Sequence, residues 1–272
     1  MIELIKVSFT CFLAILVMTL INGLAPMIGL INFIGMGDLG YVLFNILILI
    51  LTLLVFIAWI KKGFKSSLNG FRITKPKIKL EWIALGMIGI SMIYIFFITL
   101  TNGTWVYNQN NNILQLVLVI LITSLTTAIT EEIFFRGFLL GYIEKKTNTY
   151  LGVIISAMLF GIVHIMNGSY NIQNIALIVV GISIAGIFYS LLTIYCKTIW
   201  AAVVVHFLFD STELFDITTN RSNKSVAEYV YHSPYQFVTG GEYGTTVSII
   251  TIFSFVVLIA LITFKMRKNP ND

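Results

Sequence analysis

Apolar runs long enough to cross a bilayer recur along this chain, parted by short polar stretches. A crossing helix needs about 20 mostly apolar residues. Eight segments meet or approach that length: 7–25, 41–60, 81–101, 113–143, 150–168, 172–193, 198–214 and 246–264. The pattern predicts an all-α polytopic bundle of about eight transmembrane helices. The fourth run is longer than one crossing requires. The fifth and sixth are separated by "NGSYN" (167–171), a turn-rich stretch. Residues 26–40 either extend the first helix or lie along the membrane interface. No repeat, low-complexity tract or Ser/Gly-rich linker divides the chain. A single integral membrane domain over 1–272 is therefore expected.

Composition supports this reading. The chain is 58% hydrophobic and 11% charged, whereas a soluble domain is about a quarter charged. Lys6 precedes the first run, but no small-x-small cleavage site follows, so that run reads as a transmembrane helix and not a signal peptide. Cys11 and Cys196 have no CxxC spacing and read as free thiols.

The net charge of +5 is a matter of topology and calls for no nucleic-acid partner. With the N-terminus inside, the inner loops hold Lys6, the seven basic residues of 61–79, Lys145, Lys146, Lys197, Lys265, Arg267 and Lys268. The outer loops hold only Arg221 and Lys224. This is the bias of the positive-inside rule, and it predicts both termini in the cytoplasm. The outer stretches, 101–112 and 215–245 with His232 and "GGEYG", read as solvated loops.

Against this background a few polar residues stand inside the apolar runs. "EEIFFR" places Glu131, Glu132 and Arg136 within the fourth. A charge at mid-helix costs about 2.5–3.5 kcal/mol on insertion scales. Glu132 and Arg136, four apart, lie on one face and can pair. Glu131 points about 100° away and needs a partner on another helix or a water-filled cavity. "FGIVH" puts His164 late in the fifth run, and "HFLFD" puts His206 and Asp210, also four apart, in the seventh. At about 1.5 Å per residue these groups lie within the hydrocarbon zone, so they can converge. Such intramembrane polar residues are functional-site candidates. A carboxylate beside a His can deprotonate a water, and a second His can stabilise an oxyanion. Together these are parts for hydrolysing an amide or ester. The set Glu131, His164, His206 and Asp210 could instead hold a divalent metal such as zinc, which would then activate the water. HExxH, GxSxG and phosphate-cradling glycine loops are absent.

Three motifs in order, Glu-Glu-x-x-x-Arg (131–136), Phe-x-x-x-His (160–164) and His-x-x-x-Asp (206–210), resemble the CPBP family of CAAX proteases and bacteriocin-processing (Abi) enzymes. That family includes the Ras-converting CAAX prenyl endopeptidase. The resemblance spans about 113–214. It implies an eight-helix intramembrane protease with a cavity open to the cytosol, acting on a membrane-associated peptide or protein near that face. Glu131 would be the general base and His164 would help hold the water. His206 and Asp210 would stabilise the oxyanion, while Glu132 and Arg136 brace the site. Eukaryotic-type members carry Asn at the position of Asp210; an ionised Asp cannot donate to an oxyanion, so Asp210 is protonated, orients His206 or helps bind a metal. The expected setting is a bacterial cytoplasmic membrane, and the expected role is peptide maturation or bacteriocin self-immunity. A non-catalytic scaffold or immunity protein and a proton-coupled transporter are the alternatives.

Overall fold

The computed structural model describes residues 2–22, 37–109 and 112–268. Among them, seven helices are long and apolar enough to cross a membrane, so the chain is an all-α integral membrane protein. They are α1 (Ile2–Asn22), α2 (Gly37–Ala58), α3 (Leu80–Leu100), α4 (Ile113–Glu132), α6 (Thr149–Val163), α7 (Ile172–Tyr195) and α9 (Ile249–Lys268). A π-helical stretch, Ile133–Leu139, joins α4 to α5 (Leu140–Lys146) without a break. The resulting rod of 34 residues is the long fourth run of the sequence. Asn side chains start three of the helices. Asn112, Asn148 and Asn171 accept from the backbone N–H of Gln115, Leu151 and Asn174, respectively, satisfying donors that helix geometry leaves unpaired. Most of residues 26–40 lies outside the described set, and Gly37 already belongs to α2.

The eighth expected span is shorter than a crossing. Helix α8 (Trp200–Asp210) has 11 residues, about 17 Å against a hydrocarbon core of about 30 Å. It packs against α3, α4 and α7, and Ala201, Ala202, Val203, Val204, Val205 and His206 are all buried. A segment walled by protein need not span lipid, and irregular backbone at its ends is tolerated there. Two devices make up the missing length. The loop 64–79 dips inward, burying Phe71 and Ile73, and meets the start of α8: Ile199 donates to the Arg72 carbonyl at 3.0 Å and Trp200 Nε1 to the Thr74 carbonyl at 2.8 Å. At the other end a 3-10 turn, Ser211–Leu214, carries the chain onward. Among the described residues α8 thus adds a shorter passage through the bundle to the seven helices of membrane-spanning length.

The loops consequently sort onto two faces. On one, Arg72 pairs with Glu144 at 2.7 Å, Lys146 with Glu3 at 3.6 Å, and Lys145 lies 3.9 Å over the Phe71 ring. Lys77 and Lys79 lie over the Trp82 ring at this face, and the end of α9 joins it where Met266 packs on the cluster of Trp82 and Cys196. Both cysteines are free. Just inside this face, Phe56, Trp59, Phe64, Phe71, Phe138 and Tyr142 form an aromatic cluster with neighbouring centroids 4.7 to 6.2 Å apart. Gly137 and Gly141 admit the loop to it: a Cβ there would stand 2.9 Å from Ile73 Cδ1 or 2.7 Å from Phe71 Cδ1.

The opposite face carries a small sheet where the sequence suggested plain loops. Strands β1 (Thr104–Tyr107), β2 (Phe215–Thr218) and β3 (Ala227–Val230) lie in the order β1-β3-β2, with β1 antiparallel and β2 parallel to β3. Short alternating strands are easily lost beside stronger transmembrane signals. The sheet ties together the outer ends of α3 and α8, and Thr245 Oγ1, just before α9, donates to the Ile217 carbonyl at 3.1 Å. Buried Glu228 clasps its turn, accepting from Ser222 N, Ser222 Oγ and Asn223 N at 2.7–3.0 Å. Burial pushes the Glu228 carboxyl up, but hydrogen bonds from Ser222, Asn108 and Asn223 outweigh it and hold the carboxyl below its ordinary value. The folded pKa thus lies below the unfolded value of about 4.3. The clasp contributes fully above that pH and is lost as pH falls through the folded value. Hydrogen exchange at Ser222 and Asn223 should accelerate across this acid window in the wild type, and be fast throughout in Glu228→Ala.

Candidate active site

The two glutamates close α4, and Arg136 falls within the π-helical stretch that follows. Such stretches recur at functional sites because the extra residue per turn re-aims side chains. Glu132 is wholly buried and Arg136 is 1% exposed. Glu132 Oε1 accepts from Arg136 Nη1 at 2.9 Å and from His206 Nδ1 at 2.8 Å. The Arg136 guanidinium lies 4.1 Å over the Phe160 ring and 5.2 Å from that of Tyr189. Tyr189 in turn stacks on His206, 4.8 Å between centroids and 18° between planes. A guanidinium suits such a place because its flat faces stack while its edge pairs with carboxylate. The Phe of the second motif is therefore more than core filling: it carries Arg136.

The Glu132 contact sets the tautomer of His206. A carboxylate accepts, so the Nδ1 proton points at Glu132 and Nε2 points away. Nε2 stands 3.8 Å from Glu131 Oε2 and 3.5 Å from Asp210 Oδ1. Glu131, which helix geometry sets apart from Glu132, thus meets a group on α8. The side chains of Glu131 and Asp210 are 21% and 33% exposed, because both line a cavity of about 500 Å³.

His164 reaches that cavity from another direction. It closes α6, and its Nδ1 lies 2.7 Å from the Phe160 carbonyl. A carbonyl can only accept, so Nδ1 carries the proton, and in the neutral ring Nε2 keeps its lone pair. Close packing of α6 on α7 holds this end: a Cβ on Gly161 would stand 2.6 Å from the Val179 carbonyl oxygen. Among the described residues no hydrogen bond or ion pair joins His164 to Glu131 or His206. Five of the six sequence candidates are therefore linked through His206, and the sixth shares only the cavity.

The cavity also receives Tyr94, Tyr189, Glu213, Asp216 and Tyr243. None was singled out by sequence. The acidic pair had a readable signal, since Glu213 and Asp216 continue past Asp210 at short spacing; Tyr189 had none beyond being aromatic in a span of small and aliphatic residues. The cavity opens among the loops of the sheet face, and no residue of the basic face lines it. Two expectations therefore conflict: if the basic loops are cytosolic, the cavity is not open to the cytosol. Among the described residues no group of three or more His, Cys, Asp or Glu side chains is arranged to hold a metal ion. Glu131, His164, His206 and Asp210 do not form one: His164 stands apart from the other three, and the Nδ1 of His206 is taken by Glu132.

Residues 112–212 match the family model described as Type II CAAX prenyl endopeptidase Rce1-like. That stretch contains all three motifs and runs from α4 through α8. A Bacillus subtilis (strain 168) protein named "Putative membrane peptidase YdiL" is 29% identical over 94 residues, 35% of this chain and 35% of that protein. The chain thus matches about a third of the length of this relative. No solved structure matches. Helices α1, α2, α3 and α9 lie outside the family match.

The buried trio makes a testable energetic statement. Removing one member of a buried ion pair leaves an uncompensated charge, at roughly 3–5 kcal/mol. Arg136→Met and Glu132→Leu should each lower thermal stability in detergent by that order. The double variant should recover much of the loss, and a double-mutant cycle would read the coupling.

Proposed function

On the premise that residues 112–212 form a core of the CPBP protease type, we propose that the protein is an intramembrane endopeptidase. Its substrate is a membrane-associated peptide or protein, and its setting is a bacterial cytoplasmic membrane, where it serves peptide maturation or bacteriocin self-immunity. One observation carries this reading. Glu131, His206 and Asp210, from two helices, converge within 3.8 Å on a cavity that His164 also lines.

The chemistry follows from the tautomers. A water in the cavity can give one hydrogen bond to Glu131 and one to the lone pair of His164 Nε2. Its oxygen lone pairs are then free to attack a peptide carbonyl. Glu131 takes the water's proton as the C–O bond forms, and later delivers it to the leaving nitrogen as the C–N bond breaks. The developing oxyanion needs a donor. With His206 protonated on both nitrogens, its Nε2–H supplies it, with Nδ1–H anchored by Glu132 and Asp210 orienting the ring from one turn away. Arg136 holds Glu132 in place and does not touch the substrate.

Purified protein in detergent, given a panel of membrane-anchored peptides, tests the assignment. Glu131→Gln keeps the side-chain volume and removes the base. Cleavage should fall by about 10²–10⁴-fold with an unchanged melting temperature, and metal content measured on both proteins would show whether an ion takes part. Equal cleavage by the variant would remove Glu131 from the base role. If neither protein cleaves while both still confer the cellular phenotype, a scaffold is favoured.

A further inference from the structure

The mouth of the cavity and the positive charge of the chain lie at opposite ends of the molecule. Every loop residue lining the cavity, including Glu213, Asp216, Tyr243, Thr245 and Thr246, comes from the sheet face. On the other side the floor is closed. Below His206 come the buried Glu132–Arg136 pair, then the aromatic cluster around Phe138, then the inserted loop with Phe71 and Ile73 buried against Gly141 and Gly137. Beyond that floor stand fourteen of the 17 Lys and Arg residues. Basic loops stay in the cytosol, which puts the mouth outside.

The lining has a sign. Its charged groups are the carboxylates of Glu131, Asp210, Glu213 and Asp216 with two histidines, and it contains no Lys or Arg. Among the described residues Glu213 and Asp216 form no ion pair; Lys224 acts on Glu213 at longer range. Desolvation pushes both carboxyls up, and each has a further acidic neighbour doing the same, Asp216 for Glu213 and Glu228 for Asp216. A cation seated at the mouth would relieve that repulsion. A cleft lined by one sign of charge concentrates ligands of the other.

We propose that the cavity takes its substrate from the extracytoplasmic side of the membrane, and that this substrate is a cationic peptide recognised at its entrance by Glu213 and Asp216. The identity of the ligand as a substrate rests on the peptidase reading above; the direction of entry and the charge preference do not.

The test needs no cleavage. In full-length protein with Cys11 and Cys196 replaced by Ala, one reporter is Thr246→Cys on the exposed rim and the other Lys62→Cys on the basic face. Intact cells are treated with a membrane-impermeant maleimide. Thr246→Cys should label in intact cells, and Lys62→Cys only after lysis. Labelling of Thr246→Cys only after lysis overturns the direction of entry. Amphipathic peptides that differ only in carrying Lys or Glu at their polar positions then compete with labelling. The Lys peptide should slow the reaction about tenfold more than the Glu peptide, since complementary charge governs encounter. The combined change Glu213→Gln and Asp216→Asn should erase that difference. Equal protection by both peptides, or a difference that survives the double change, overturns the charge preference. Neither result depends on Glu131, so failure here is separable from failure of the peptidase assignment.

Discussion

The site depends on one buried carboxylate. Glu132 sits in a dry interior with a guanidinium on one side and an imidazole on the other. Alone, each of these groups would be costly at this depth. Together they neutralise one another, and their geometry passes outward. Arg136 is stacked on Phe160, whose carbonyl holds His164; His206 is stacked on Tyr189 and aims Nε2 at Glu131 and Asp210. Three motifs on three helices are thereby locked to a single oxygen atom. The outer carboxylates keep their solvent access because the inner one has taken the load of fixing the ring.

The membrane imposes the second constraint. On the peptidase reading proposed above, the protein has to admit water and substrate to Glu131 without opening a path through the bilayer. It does so by making the two halves unlike. The half on the sheet side is a polar cavity roofed by a small sheet, and the half on the basic side is a stack of aromatic rings closed by a loop. The short helix α8 fits this division. It has to reach only from the inserted loop to the cavity wall, so it has no need of the length that lipid would require.

Much of this was legible in the sequence because membrane signals are strong. Seven of the eight apolar runs are helices long enough to span among the described residues, and the basic loop 64–79 and the sheet lie at opposite ends of the bundle. The i,i+4 spacing of Glu132 with Arg136 and of His206 with Asp210 correctly gave contacts on one helix face. Contacts between helices were not legible. Nothing local says that Glu132 reaches His206 across α4 and α8, that Tyr189 stacks on it, or that His164 bonds its own helix and leaves the others alone. The strands were missed because four-residue segments with mixed burial carry little periodic signal. The end at which the cavity opens was not legible either, because the resemblance covers α4 to α8 and says little of the loops that line its mouth.

The π-helical stretch has a further consequence. Within Ile133–Leu139 the backbone carries more residues per turn than the α-helix on either side, so the rod changes phase as it passes through. Above the shift it presents carboxylates to the cavity; below it, Gly137 and Gly141 face the inserted loop. Chain length at this point therefore acts as a rotary setting. Deleting Phe135 would leave every charged motif residue chemically intact and restore ordinary helix, yet turn the carboxylate-bearing half of the rod against its anchoring half by about 100°. The spacing inside this stretch is as much a part of the site as the side chains it separates.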